Sequence, residues 1–317
     1  MGASRSPAPA VQAPRARAQQ VSPASRRDFC RLALSTGILW AGGWLPRVPA
    51  ARSLDLNNQT DLLRAMIKMR GSLDSDLVIG WLRAKRFAVS RGRIEPLCGL
   101  IAATFSRFRQ VSDELVEAVA LEVTHYTDFE TGALLDELTM PFANTTVTVP
   151  PYRFGPARTR FAVDLDERER FAPQADTTES DFSPAGTVLM TKSIRREGVL
   201  DGDLLLRHEE HGRVYPDDSE VPTLFYKEST IWSAPEQAVL DSQNRRVNSR
   251  VSYSAMTSWR PWMQMGDLPG HTSSNGFGGR VDSIADLPED FLRYTEQRHP
   301  DVLEDPESLL QTLKKET

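Results

Sequence analysis

Along most of the chain, apolar and polar residues alternate with a period of two. Leu77, Ile79 and Trp81 stand against small or polar neighbours, and Ser90 to Arg93 supplies a turn before a second run from Leu97 to Phe108. A third run, Leu115 to Thr127, sets Val119, Leu121 and Val123 against Ala120, Glu122 and Thr124. "DFETG", Asp128 to Gly132, then reverses the chain into "ALLDEL", because Gly132 is free to take positive φ. Thr145 to Val149 is a further short strand, and the alternation resumes at Thr187–Ile194, Asp203–Glu210, Leu224–Trp232 and Val247–Trp259. The segment between Pro156 and Gly186 is charged and poor in apolar residues, and reads as a loop or insertion.

Helical spacing occurs only near the two ends of this pattern. Leu62, Leu63, Met66 and Ile67 share one face of Asn57–Arg70, with Asn58 or Thr60 as cap and Gly71 as stop. Leu287–Gln297 and Pro306–Lys315 are two more helical segments. Many short strands without interleaved helices predict a mainly β fold. An antiparallel barrel of calycin or lipocalin type, with flanking N- and C-terminal helices, is favoured, since closure removes sheet edges and creates an interior. A two-sheet β-sandwich is the alternative.

The first fifty residues break the pattern. Ser25-Arg26-Arg27-Asp28-Phe29 precedes an uncharged run from Leu32 to Leu45, and Val48-Pro49-Ala50 offers a small-residue cleavage site. Such a run rises only about 21 Å as a helix, too short for a hydrocarbon core of ~30 Å. "SRRDF" resembles the twin-arginine export motif, which implies a chain that folds before it is translocated. An ordinary secretory signal containing two arginines is the other reading. Either way the expectation is a periplasmic or secreted protein, cleaved after about Ala50, with no stable membrane anchor and a single β-rich domain over residues 51–317. The twin-arginine machinery is then one partner.

Composition narrows the function classes. The whole chain has a formal charge of -5; setting aside the seven arginines and Asp28 of residues 1–50 leaves about -11. An acidic domain argues against nucleic acid or anionic lipid as partner. Cys98 is the only cysteine beyond residue 50, which excludes a disulfide within that region and any cysteine-ligated zinc or iron–sulfur site. The sequence contains no dinucleotide fingerprint, phosphate loop, nucleophile elbow or HExxH pair, and Gly-rich "NGFGGR" lacks the helix a phosphate cradle needs. No cofactor is therefore predicted, while a divalent metal on histidine and carboxylate ligands stays open.

The alternation selects candidate residues. On a strand, His208 and Glu210 share one face with Leu204 and Leu206, while Glu209 and His211 take the other; His208 and Glu210, completed by His125, are candidate metal ligands. His125 continues the Val119-Leu121-Val123 face; if that face lines a barrel interior, it is a candidate general acid or base. In "LFYKESTIW", Tyr226, Glu228, Thr230 and Trp232 fall together, which places a carboxylate among aromatics, and burial there would raise its pKa. Tyr253, Trp259, Trp262, Met263 and Met265 supply apolar, polarisable surface for a ligand, with Asp267 and His271 at its edge. The same Trp–Met cluster serves equally as a plug of the barrel end.

"WRPWMQMGDLPG", Trp259 to Gly270, resembles the signature of the domain-of-unknown-function 1838 family. "WLRA" at Trp81, "YTDFETGALLD" from Tyr126 to Asp136, Lys227-Glu228 with Trp232, and "GGR" followed by "LPEDF" extend the resemblance over about Asp55 to Pro306. It implies an exported β-rich protein and brings no assigned activity. The residues favour a small hydrophobic or aromatic molecule bound in a barrel cavity, with proton-transfer chemistry of isomerase or lyase type at His125 and Glu228. A binding protein without turnover and a His/carboxylate metalloprotein are the alternatives.

Overall fold

The computed structural model describes residues 53–171, 186–217, 219 and 222–311; the export signal read in residues 1–50 lies outside them. Helix α1 (Gln59–Arg70) comes first, and the Asn58 side chain caps it by accepting from the Asp61 backbone N–H at 3.1 Å. Long strands follow: β1 (Val78–Ser90), β2 (Arg93–Gln110) and β3 (Val116–Thr127). A small hairpin, β4 (Glu137–Met140) and β5 (Thr145–Thr148), then intervenes before β6 (Tyr152–Phe161) and β7 (Asp164–Phe171). Next come β8 (Gly186–Leu200), β9 (Asp203–Pro216), β10 (Leu224–Pro235), the short helix α2 (Glu236–Leu240), β11 (Arg250–Ser258) and β12 (His271–Val281). Helices α3 (Glu289–Arg298), α4 (Pro300–Glu304) and α5 (Pro306–Gln311) end the described chain.

Ten strands form one antiparallel sheet in the order β6-β3-β2-β1-β12-β11-β10-β9-β8-β7. With the β4–β5 hairpin set aside, each strand pairs with its neighbour in the chain, and β1 pairs with β12 from Ile79↔Val281 to Val89↔His271. The sheet therefore curls into a nearly closed barrel. The one junction without a backbone ladder is β6–β7, two strands joined only by Ala162 and Val163. Side chains bridge it: Arg160 reaches Glu167 at 3.3 Å, and Lys192 of β8 donates to the Arg160 carbonyl at 3.2 Å.

Three apolar clusters explain why the barrel holds. At one end α1 is buried on nearly every side, packing Leu63, Met66, Ile67 and Met69 against Phe108, Phe161, Leu206, Trp232 and Val251. Each such side chain contributes about 1.5–3 kcal/mol of burial. Gly71 ends the helix where a Cβ would lie 2.5 Å from the Phe108 ring. At the other end the β4–β5 hairpin and the turn around Met263 pack Leu138, Met140, Val147, Met263 and Met265 onto Leu97, Leu100 and Tyr126. Outside the barrel, α3 to α5 cover Ile101, Phe105, Leu121 and Val123 with Phe291, Tyr294, Val302 and Leu310. No helix among the described residues is long and apolar enough to cross a membrane.

One expectation needs correction. The charged stretch read as a loop from Pro156 onward is strand as far as Phe171, because Asp164, Asp166 and Arg168 sit on the exposed side of the alternation; residues 172–185 lie outside the described chain. "NGFGGR" lies within β12, where Gly276 and Gly278 face inward. A Cβ at Gly278 would come within 2.0 Å of the Trp81 carbonyl oxygen, so the backbones approach too closely for any side chain.

Candidate interior site

Strand register decides which residues meet inside. Glu228 pairs with Glu210 across β10–β9 and with Ala255 across β10–β11, and Thr230 pairs with His208. On β3, Glu122 belongs to the same inward set as Ala118 and Ala120. These faces enclose a cavity of about 190 Å³, lined among others by Arg70, Glu122, Glu228, Thr230, Trp232 and Tyr253. A cavity of ~150 Å³ already accepts a benzene-sized molecule, so the space suits a small, one-ring compound.

Glu228 stands at the centre of the polar groups. The Tyr226 hydroxyl donates to its Oε2 at 2.6 Å and lies 3.5 Å from Glu210 Oε2, so one phenol bridges two carboxyls. Glu228 Oε1 makes no hydrogen bond among the described residues. Burial, and then the charge of Glu210, raise the Glu228 carboxyl to about 7. Burial also pushes Glu210 up, but the charges around it, that of His208 when protonated and those of Lys192 and Arg70, together with the Tyr226 hydroxyl, outweigh it and hold this carboxyl below its usual range. Lys192 Nζ is 4.0 Å from Glu210 Oε1 and His208 Nδ1 is 3.8 Å from it. The two carboxyls are thus driven apart: Glu210 ionised, Glu228 poised near neutrality. Burial and the neighbouring carboxylates raise both the Tyr226 and Tyr253 phenols, so both stay protonated.

His208 is held neutral. Burial lowers its pKa to about 3, with Arg70 and Lys192 adding to the effect. Arg70 Nη1 donates to Nδ1 at 3.0 Å, which assigns the proton to Nε2, a buried atom without a hydrogen-bond partner among the described residues. Phe161 lies between the cations and the barrel wall, with its ring 4.7 Å from the Arg70 guanidinium and 5.6 Å from the imidazole.

The remaining candidates separate. His125 pairs with Ile101 on the outer face of β3 and is wholly buried beneath α3. Its Nε2 is hydrogen-bonded to Thr295 Oγ1 at 2.8 Å, and its ring contacts Phe291, Tyr294 and His299. The Val119-Leu121-Val123 face therefore looks outward, because helices and not the cavity cover it. His125 meets neither Glu228 nor the His208–Glu210 pair, and it completes no metal shell with them. Among the described residues no three His, Cys, Asp or Glu side chains converge as ligands for an ion. Trp259, Trp262, Met263 and Met265 line no part of the cavity. They belong to the plug, with Trp262 against the Tyr126 ring and the Trp259 indole donating to the Leu268 carbonyl at 2.9 Å. Asp267 is exposed on the following turn, and His271 lies on the outer face of β12 beside Phe225.

Residues 212–316 match the DUF1838 family. Its model is described as "Protein of unknown function (DUF1838)", and the match runs from the end of β9 through β10–β12 and the terminal helices. No curated protein and no solved structure matches the chain. The DUF1838 stretch supplies Tyr226, Glu228, Thr230, Trp232 and Tyr253. Arg70, Glu122, Lys192, His208 and Glu210 come from before it. Sequence reasoning missed Arg70 and Lys192; Arg70 closes an amphipathic helix and reads as a solvated end charge, whereas Lys192 had a signal, its strand parity with Met190 and Ile194. Glu122 had a signal, its place opposite the Leu121–Val123 face, which takes an inward position once that face is known to be covered outside.

Proposed function

We propose that the barrel binds a small, largely apolar or aromatic molecule in its cavity and that Glu228 exchanges a proton with it. One observation carries the reading: a cavity-lining carboxyl raised to about 7 by burial and by Glu210, fixed at one oxygen by Tyr226 and unoccupied at the other. Such a group is present in both protonation states near neutral pH, which is what general acid–base catalysis of an isomerisation or elimination requires. Trp232, Val251 and Tyr253 supply apolar surface against which a ring can rest. Tyr226 would hold Glu228 in place, and ionised Glu210 would keep it from ionising too readily. The reaction is thus assigned to Glu228 with Tyr226 and Glu210 as positioning residues, and not to His125. Export in folded form through the twin-arginine route remains part of the proposal, supported by "SRRDF" and the uncharged run after it.

Proton transfer is tested without knowing the substrate. The full chain is incubated in D2O with a panel of small aryl ketones, and deuterium at the carbon beside the carbonyl is followed by NMR. Incorporation above the buffer rate, rising through pH 7 and falling by about 10²–10⁴-fold in Glu228→Gln, is expected. No exchange with any member, or exchange that Glu228→Gln leaves unchanged, removes catalysis from the proposal. Binding without turnover is the second reading, favoured by a barrel that is packed by α1 at one end and by the Met263 plug at the other.

A further inference from the structure

The cavity is electrically lopsided. Arg70 lines it from the last turn of α1, yet its guanidinium has no carboxylate in hydrogen-bond or ion-pair contact among the described residues. Its partners are a neutral imidazole nitrogen and the face of Phe161. Lys192 is buried, and Glu210 is set against Lys192 and His208. Glu210 is thus the carboxylate that Lys192 and His208 approach within 4.0 Å, and Arg70 has none at that distance among the described residues. Glu228 and Glu122 also line the cavity, the latter accepting from Thr124 at 2.9 Å. An uncompensated charge removed from water is unfavourable until an opposite charge joins it. A guanidinium fork matches the two oxygens of a carboxylate better than any other monoanion of this size.

We infer that the molecule taken into the barrel is a small carboxylate, seated with its anionic end against Arg70 and its carbon skeleton against Trp232 and Val251, so that its far end reaches Glu228. This inference rests on the cavity-binding reading above and narrows it to a substrate class. The carboxylate would give Arg70 a directly hydrogen-bonded counter-charge, which no carboxylate among the described residues supplies. The carboxyls of Glu122 and Glu228 would repel a second negative group, which excludes dicarboxylates and orients the ligand in one direction.

The test uses three probes of one shape on the full-length protein: benzoate, benzamide and benzylamine, with binding read from Trp232 fluorescence and from calorimetry. Benzoate is expected to bind about ten- to hundredfold more tightly than benzamide, the worth of a hydrogen bond to a charged group, and benzylamine not at all. Arg70→Met removes the preference for benzoate and leaves benzamide unaffected; should that variant not fold, Arg70→Lys weakens benzoate but not benzamide. Equal binding of benzoate and benzamide, or a preference that survives loss of the guanidinium, overturns the carboxylate inference and leaves the cavity as a neutral-ligand site. Failure of all three probes overturns the inference together with the cavity-binding reading.

Discussion

Replacing Glu228 by Gln should make the protein more stable, and only above a certain pH. The folded carboxyl titrates at about 7 against an ordinary value of 4.5. Between those values the unfolded chain has released the Glu228 proton and the folded chain still holds it. Stability therefore declines as pH rises through this window, and the penalty is complete above about 7. The gap of roughly 2.5 pH units corresponds to about 3 kcal/mol at ~1.4 kcal/mol per unit. Gln is isosteric with the protonated acid, so Glu228→Gln should match the wild type near pH 4.5 and exceed it by about 3 kcal/mol at pH 8, or about 6–12 °C in Tm. Urea unfolding followed by tryptophan fluorescence at a series of pH values between 5 and 8 gives the difference directly. A wild-type-to-variant difference that does not change with pH refutes the reasoning, because it leaves Glu228 ordinary in the folded state. So does destabilisation that grows with pH.

Three further outcomes follow from the geometry. His125 is buried neutral, lowered to about 3 from 6.5 chiefly by burial, so the stability it contributes is complete above about pH 6.5 and lost as pH falls toward 3; His125→Gln should shift the acid-unfolding midpoint, measured by circular dichroism, to lower pH. Met263 is fully buried in the plug and lines no part of the cavity, so Met263→Ala should lower unfolding free energy by about 2–5 kcal/mol while benzoate titration reads an unchanged affinity. Gly278→Ala places a Cβ against the Trp81 carbonyl and should destabilise the β1–β12 ladder by about 1–3 kcal/mol, visible as faster amide exchange along β12.

Parity along the strands was the most informative signal in the sequence. It grouped Tyr226 with Glu228, Thr230 and Trp232, and His208 with Glu210, and these sets do face the interior. Parity does not say which face is inside, and that is where the reading of His125 diverged. An outward face covered by helices is as apolar as an inward one, and Phe291 and Tyr294 lie more than 160 residues further along the chain. Elements weak in apolar residues were also illegible. β7 has Asp164, Asp166 and Arg168 on the solvent side, and β12 uses glycine where its backbone meets β1, so neither has the apolar alternation that marks a strand. Arg70 was the hardest case: as the last residue of an amphipathic helix, it reads as a solvated charge until the barrel closes around it.

The missing ladder between β6 and β7 has a mechanical consequence. The barrel consists of two arches, β6-β3-β2-β1 and β12 through β7, bound along a spine where β1 runs beside β12 for eleven paired positions. Opposite the spine, the ties among the described residues are a two-residue strap whose Val163 carbonyl accepts from the Ile194 N–H at 2.8 Å, the side chains of Arg160, Glu167 and Lys192, and the contact of Phe161 with His208. Parting the arches there, as a book opens from its binding, breaks no rung between strands. Lys192 holds the clasp with one hydrogen bond while standing 4.0 Å from Glu210. The charge state of the interior and the latch on the barrel wall therefore share one side chain, and an anion arriving beside Glu210 would pull on both.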